Sequence, residues 1–489
     1  MMRPINSSPR RRWAVLCLCV ASISATAQDV GLTQLVTTLA PTDTSVAFVL
    51  SELGQQEPLV SYHGQLKLLP ASLQKLLTAS AAIKVLGGDF RFTTSLLTDG
   101  RIEDQLLSGN LYLVFKGDPA LTSIQLRTLL AKLKELGIRR IQGDLMLVGN
   151  TRRATKAPGW VWDDLGICYA APVSSFIVDG NCVKAVMRPT GKPLPKDTMG
   201  IIPATVTLRS KAPFTVDSDA GYGNGAFCQL ALVNKGPNHI DFTGCFPEKR
   251  PLNLAFAIND PAAFTGDWSR EILDGLNIRL TGQVRLASLA PVDAHCLGEI
   301  SSVPVYDLTA KLLLESDNLI SDTLLLAMAE KHWGKDAGFN QGVTVLSQAL
   351  EEMGIELSNH RLEDGSGLSR YNLLSAGVLN QLLVQIHADP QLRPLINALP
   401  KAGESGTLAH KAPYTQGTLK HRIIAKTGSM GGVDNLAGYF SVAGKDYSFV
   451  VLENGLTIED NAPQKAWHGK ILAAVIQQLE SRALRDNTR

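Results

Sequence analysis

Neither sign of charge is in excess: 47 lysines and arginines face 45 aspartates and glutamates across 489 residues, a net of +2. Without a basic stripe there is no electrostatic footprint for a phosphate backbone, so nucleic acid is not an expected partner. Long single-sign runs and low-complexity stretches are missing too, and the apolar content of 45% is ordinary for a globular chain. Past residue 27 no segment has the roughly 20 unbroken apolar residues a bilayer demands, so no transmembrane segment is expected there. Cys-x-x-Cys and His-Glu-x-x-His are absent and the nine histidines are scattered. Neither a metal nor a cofactor is therefore expected.

At this length one ordinary core is insufficient, and two or three domains are expected. The N-terminus stands apart. Arg3, Arg10, Arg11 and Arg12 precede an apolar run from Trp13 to about Ile23, and Ala25-Thr26-Ala27 forms a small-x-small site. That is the layout of a secretory leader, with a mature start at Gln28 and export to the periplasm. An uncleaved anchor is the competing reading, but the run is short for a bilayer and ends in small polar residues. Cys17 and Cys19 fall inside the leader, which leaves Cys168, Cys182, Cys228, Cys245 and Cys296. In an oxidising compartment, proximity suggests pairing Cys168 with Cys182 and Cys228 with Cys245, leaving Cys296 over.

The stretch with most chemistry in it is Pro70-Ala71-Ser72-Leu73-Gln74-Lys75, followed by an Ala-rich apolar run to Leu86 and then Gly87-Gly88. Proline before and glycine after are start and stop signals for a helix, with Ser72 in its first turn and Lys75 one turn on. Residues three apart share a helical face, so the Lys75 amine can reach the Ser72 hydroxyl. A serine becomes a nucleophile when a neighbour takes its proton, and lysine can do so if burial and nearby cations depress its pKa. A chain this long carries roughly two Ser-x-x-Lys pairs by chance at ordinary composition. Two further segments raise the significance of this one: Ser316-Asp317-Asn318 and Lys426-Thr427-Gly428. Taken singly, the first reads as a helix cap and the second as the end of an edge strand.

Around these, Leu32 to Leu39 reads as a short helix, and Ser45 to Leu50 with Leu59 to His63 as a hairpin. Leu111 to Phe115, Leu126 to Leu136 and Gly143 to Val148 read as strand, helix, strand. Residues 157–290 read as β-rich, with many short runs between glycines and prolines. Helical periodicity returns at Tyr306. Strands are expected over Arg422 to Ser429, Leu436 to Val442 and Tyr447 to Leu452, then a C-terminal helix with Trp467, Ile471, Leu472, Val475 and Leu479 on its buried face.

The three motifs in this order resemble those of the penicillin-binding serine acyl-transferases. About 240 residues separate the first from the second. That separation resembles the low-molecular-mass class C penicillin-binding proteins of the penicillin-binding protein 4 type, peptidase family S13. Asp364-Gly365-Ser366-Gly367-Leu368-Ser369, the stretch from Trp162-Asp163-Asp164 to Cys182, and Asn435-Leu436-Ala437-Gly438 support the match. The resemblance implies an α/β (α+β) fold, an antiparallel sheet flanked by helices. It divides the chain into a leader (1–27), a discontinuous peptidase domain (28–92 plus 296–489) and a β-rich insertion (93–295) of two subdomains.

It also implies D-Ala-D-Ala carboxypeptidase and endopeptidase activity on peptidoglycan peptides, with β-lactams as covalent inhibitors. Ser72 is then the acylated nucleophile, Lys75 its base and Ser316 a proton relay to the leaving amine. Asn318 binds the substrate amide, and Lys426 with Thr427 the terminal carboxylate, Lys426 also keeping the Lys75 pKa low by repulsion. The backbone N–H groups of Ser72 and Ser429 form the oxyanion hole, and Asp164 is the candidate acceptor for a side-chain amine of the substrate. Two rivals are a serine β-lactamase, for which no deacylating glutamate can be placed, and a non-catalytic wall-binding protein, against which every motif residue is intact.

Overall fold

The computed structural model describes residues 29–151, 153, 155–190, 201–223, 228–247, 250–457 and 466–486, so the expected leader lies outside the described residues. Two separated stretches of chain build one body. Before residue 92 come α1 (Val30–Leu39), β1 (Ser45–Glu52), β2 (Val60–Tyr62) and α2 (Lys75–Leu86). After residue 302 come α3 (Val305–Glu315), α4 (Asn318–Trp333), α5 (Phe339–Glu352) and α6 (Ala376–Ala388). The chain then closes with β3 (Ile424–Met430), β4 (Val433–Val442), β5 (Lys445–Asn454) and α7 (Trp467–Asp486).

The five strands form one antiparallel sheet in the order β2-β1-β5-β4-β3, so the N-terminal hairpin completes a C-terminal meander and β3 is an edge. Strand periodicity explains the layering, because alternate side chains leave opposite faces. Val46, Phe48 and Leu50 pack with Trp467, Ile471, Leu472 and Val475 of α7, while Ala47 and Val49 face the core that holds α2. α2 is buried on nearly all sides, and its small residues Ala79, Ala81 and Ala82 leave room for neighbouring helices. A helix enclosed in this way holds its N-terminus still; Lys75 opens it, and Ser72 lies in the short turn just before.

Between the two halves lies the insertion. Its first sheet runs, in spatial order, through Val284–Ala287, Leu145–Val148, Leu111–Phe115, Thr93–Thr98 and His295–Ser301. A seven-stranded sheet drawn from between Cys182 and Ala257 shares its core, with Leu113, Phe176, Met187 and Phe242 in one cluster. Because His295–Ser301 pairs with Thr93–Thr98, the chain returns to the first body at Ser302, a few residues past 296. There Phe92 and Ser302 bond each other's backbone and the Ser302 hydroxyl, at 2.9 and 3.0 Å.

The β-rich reading of 157–290 overlooked one element, a helix over Pro261–Gly275. Proline at its start and Asp260 as its cap, 3.0 Å from Ala263 N, are good helix signals. Phe264, Trp268 and Ile272 recur every four residues along its inner face, a helical spacing obscured by the Gly- and Pro-rich runs around it. Cys168 bonds Cys182 and Cys228 bonds Cys245, as expected, and Cys296 is free and exposed. No helix among the described residues is long and apolar enough to cross a membrane.

Candidate active site

Ser72 lies in a 3-10 turn, Ala71–Gln74, that leads directly into α2 at Lys75. The expected single helix is thus two joined pieces, yet the three-residue spacing still places the Lys75 Nζ 2.7 Å from Ser72 Oγ. Three supports fix this turn. Asn435 on β4 donates to the carbonyls of Leu69 and Pro70, at 2.9 and 3.1 Å. Gly428 on β3 passes so close that a Cβ there would lie 2.7 Å from the Pro70 carbonyl oxygen. Gly367, with φ of 80°, sits where a Cβ would collide with the Ala71 carbonyl.

Lys75 is completely buried, and its ammonium spends each of its three protons: on Ser72 Oγ, on Asn318 Oδ1 at 2.6 Å and on the Ser366 carbonyl at 2.7 Å. The Ser366 acceptor is placed by its own loop. Asp364 takes Gly367 N at 2.8 Å and Ser369 N at 2.7 Å, and Trp160 Nε1 at 2.9 Å, while Asp322 takes Gly365 N at 2.7 Å and Ser366 N at 3.0 Å. Burial brings the Lys75 amine down to about 8, against the pull of Asp322, Asp364 and Asp317. Burial, one of the two causes expected, is thus the leading one for Lys75. Lys426 is lowered well below its ordinary value by its own burial first and then by the charges of Lys75 and Lys411, a repulsion that is mutual.

Ser316 ends α3 in the left-handed region (φ 63°, ψ 39°), and Asp317 caps α4 by accepting from Ile320 N at 2.9 Å. A non-glycine residue held there costs about 1–3 kcal/mol, a kind of strain concentrated at functional sites. The twist aims Ser316 and Asn318 at different amines. Lys426, fully buried, gives protons to Ser316 Oγ at 2.8 Å and to the Thr427 carbonyl at 2.9 Å. Thr427 Oγ lies 2.8 Å from the Thr407 hydroxyl, and the exposed Ser429 donates to Asp434 Oδ1 at 2.9 Å. Each amine therefore holds its own hydroxyl, Lys75 that of Ser72 and Lys426 that of Ser316, and Asn318 bridges toward the first pair.

The insertion reaches the same place. Asn318 Nδ2 donates to the Tyr169 carbonyl at 2.7 Å, and the Tyr169 hydroxyl donates to Asp164 Oδ1 at 2.5 Å. Burial, with Asp164 beside it, pushes the Tyr169 phenol up and keeps it a donor. Asp164 itself is half-buried, in a short 3-10 turn, Trp162–Asp164.

Against known proteins, the D-Ala-D-Ala carboxypeptidase 3 (S13) family matches residues 32–475. The chain belongs to the S13 peptidases. D-alanyl-D-alanine carboxypeptidase DacB of Haemophilus influenzae is 33% identical over 426 residues, covering 86% of this chain and 87% of the relative. A D-alanyl-D-alanine carboxypeptidase from an Actinomadura species is 29% identical over 430 residues, 83% of this chain and 77% of its own. The crystal structure of penicillin binding protein 4 from H. influenzae matches with a TM-score of 0.83 at 31% identity, covering 92% of this chain and 99% of that one. The complex of that protein with a β-lactam matches at 0.80 and 30%, over the same shares. The mixed α/β fold and the D-Ala-D-Ala carboxypeptidase activity of this S13 peptidase thus stand as the resemblance implied.

Sequence reasoning missed several groups that shape the S13 site here. Tyr169, Thr407, Lys411 and Asp434 all bond a motif residue or its partner. None stands in a short motif of its own. Asp434 follows Ser429 by five positions across a hairpin, where Ser429 and Asp434 are register partners, and that strand pairing was the one available signal.

Proposed function

We propose that this D-Ala-D-Ala carboxypeptidase works through an acyl-enzyme on Ser72, with peptidoglycan peptides as substrates and β-lactams as acylating inhibitors. The single observation behind the assignment is the saturated Lys75 amine. Once it loses a proton, its two remaining N–H bonds serve Asn318 Oδ1 and the Ser366 carbonyl, and the lone pair is left for the Ser72 hydroxyl. Ser72 Oγ attacks the carbonyl carbon of the penultimate D-alanine as its proton passes to Lys75. The backbone N–H groups of Ser72 and Ser429 receive the developing oxyanion. Ser316, supplied through Lys426, delivers a proton to the leaving amine, the amide bond breaks, and water later releases the acyl group by the reverse route.

Asn318 binds the substrate amide, and Thr427 with Ser429 and the Lys426 charge receive the terminal carboxylate. Asp164 takes the side-chain amine of the peptide; its link to Asn318 through both ends of Tyr169 supports that role. The same arrangement serves an endopeptidase when the leaving amine belongs to a cross-linked neighbour. We keep the division into a peptidase body and an insertion but place the return to the body at Ser302 instead of 296, because His295–Ser301 pairs with Thr93–Thr98 of the insertion. Two disulfides and the H. influenzae relative support export to the periplasm.

Release of D-alanine from a peptide ending in D-Ala-D-Ala tests the assignment. Wild-type protein releases it and Ser72→Ala does not. Undiminished release by that variant refutes the nucleophile.

A further inference from the structure

Behind Ser429 lies a group of ionisable residues that the mechanism above does not use. Asp434 is nearly buried and its carboxylate is shared three ways. Oδ1 accepts from Ser429 Oγ at 2.9 Å and from Lys411 Nζ at 2.6 Å, and Oδ2 accepts from His468 Nε2 at 3.1 Å. His468, fully buried on α7, takes the Tyr414 hydroxyl on its other nitrogen at 2.5 Å. The Asp434 contact places a hydrogen on Nε2. Burial lowers the imidazole's pKa, which favours the neutral ring with its Nδ1 lone pair toward the Tyr414 hydroxyl. Burial works to raise Asp434, but His468 and Lys411 more than offset it and hold the carboxyl far below its usual range. The cluster thus contains one anion, Asp434, and one cation, Lys411, whose side chain stays 17% accessible.

Its position matters because Ser429 has a single proton to give. A substrate carboxylate bonded to Ser429 lies about 5–6 Å from Asp434, two hydrogen-bond lengths across the hydroxyl. Like charges at that distance disfavour each other. Lys411 cancels the repulsion, and its field extends to the same end of the cleft, since it also acts on Lys426.

We propose that the Lys411–Asp434 pair is a specificity-determining device: Asp434 orients the Ser429 hydroxyl and weakens binding of a C-terminal carboxylate, and Lys411 restores it by neutralising Asp434. His468 and Tyr414 are positioning residues that anchor the Asp434 carboxylate to α7. This rests on the assignment of Ser429 to the terminal carboxylate made above.

The test uses the purified full-length enzyme and two probes, an N-acyl peptide ending in D-Ala-D-Ala and the same peptide with its C-terminus amidated, with kcat/KM measured for each. Lys411→Met should lower the value on the acid about tenfold, mainly through KM, and leave the amide within about twofold. Asp434→Asn should move the acid-to-amide ratio the other way, upward several-fold, because it leaves Lys411 unopposed. The double variant should return to within about threefold of wild type, and Lys411→Arg should keep the wild-type ratio. A network that is only structural makes both single variants lose activity on both probes alike; that outcome, or a double variant no better than Lys411→Met, overturns the proposal. Ser429→Ala separates the two layers. An unchanged acid-to-amide ratio in that variant refutes the Ser429 assignment and the proposal with it, whereas a reduced ratio alongside a silent Lys411→Met refutes the proposal alone.

Discussion

Lys75 shows how little separates a structural ammonium from a base. Bound as a cation it has no lone pair to offer, and burial is what brings its pKa to about 8 instead of the ordinary 10.5. The neutral amine is the active form, so the acylation rate should rise as pH increases through about 8 and level off above about 9, measured by stopped-flow with a chromogenic β-lactam. A rate that falls over that range would mean that a protonated Lys75 is needed. At this scale the meeting of Ser72, Lys75, Ser316, Asn318, Lys426 and Thr427 was legible in the order and spacing of the three motifs. Burial as a cause of the Lys75 shift was expected, but the carboxylates that oppose it, Asp322 and Asp364, were not, since they meet the amine only through the fold. Lys411, Tyr414 and His468 were hidden for the same reason: they meet Asp434 only through the fold.

At the level of elements, the site depends on how closely β3 approaches the turn before α2. Gly428 permits that approach, with a backbone oxygen 2.7 Å from where its Cβ would be. Gly428→Ala must push strand and turn apart, and displacements near 1 Å cost about a hundredfold in rate. We expect a loss of that order in β-lactam acylation with a circular-dichroism spectrum like that of wild type, β3 being an edge strand. Near-normal acylation would show that the contact is slack. Strands β3, β4 and β5 were readable from short apolar, β-prone runs broken by Gly444. The helix over Pro261–Gly275 was overlooked although Phe264, Trp268 and Ile272 are spaced four apart, because the Gly- and Pro-rich runs around it weighted the whole stretch toward strands.

On the scale of the whole molecule, the insertion is attached to the catalytic body at more than its two chain crossings. Tyr169 connects Asp164 to Asn318, and it lies beside Cys168, whose disulfide to Cys182 spans 14 residues. Closing a loop of that size stabilises by about 3 kcal/mol. Replacing both cysteines by serine should therefore speed proteolytic nicking within residues 160–182 and weaken the enzyme on peptides carrying a side-chain amine more than on those without one. Equal loss on both would separate Asp164 from substrate choice. The cysteine pairing followed from proximity in an oxidising compartment, but the way the insertion meets the S13 body was not legible, because a contact between distant segments leaves no periodic trace. One covalent bond decides whether Ser72 is the nucleophile. Peptide mapping by mass spectrometry after brief exposure to benzylpenicillin should find the penicilloyl group on the peptide that contains Ser72 and on that residue; an adduct on another residue, or none at all, would contradict it.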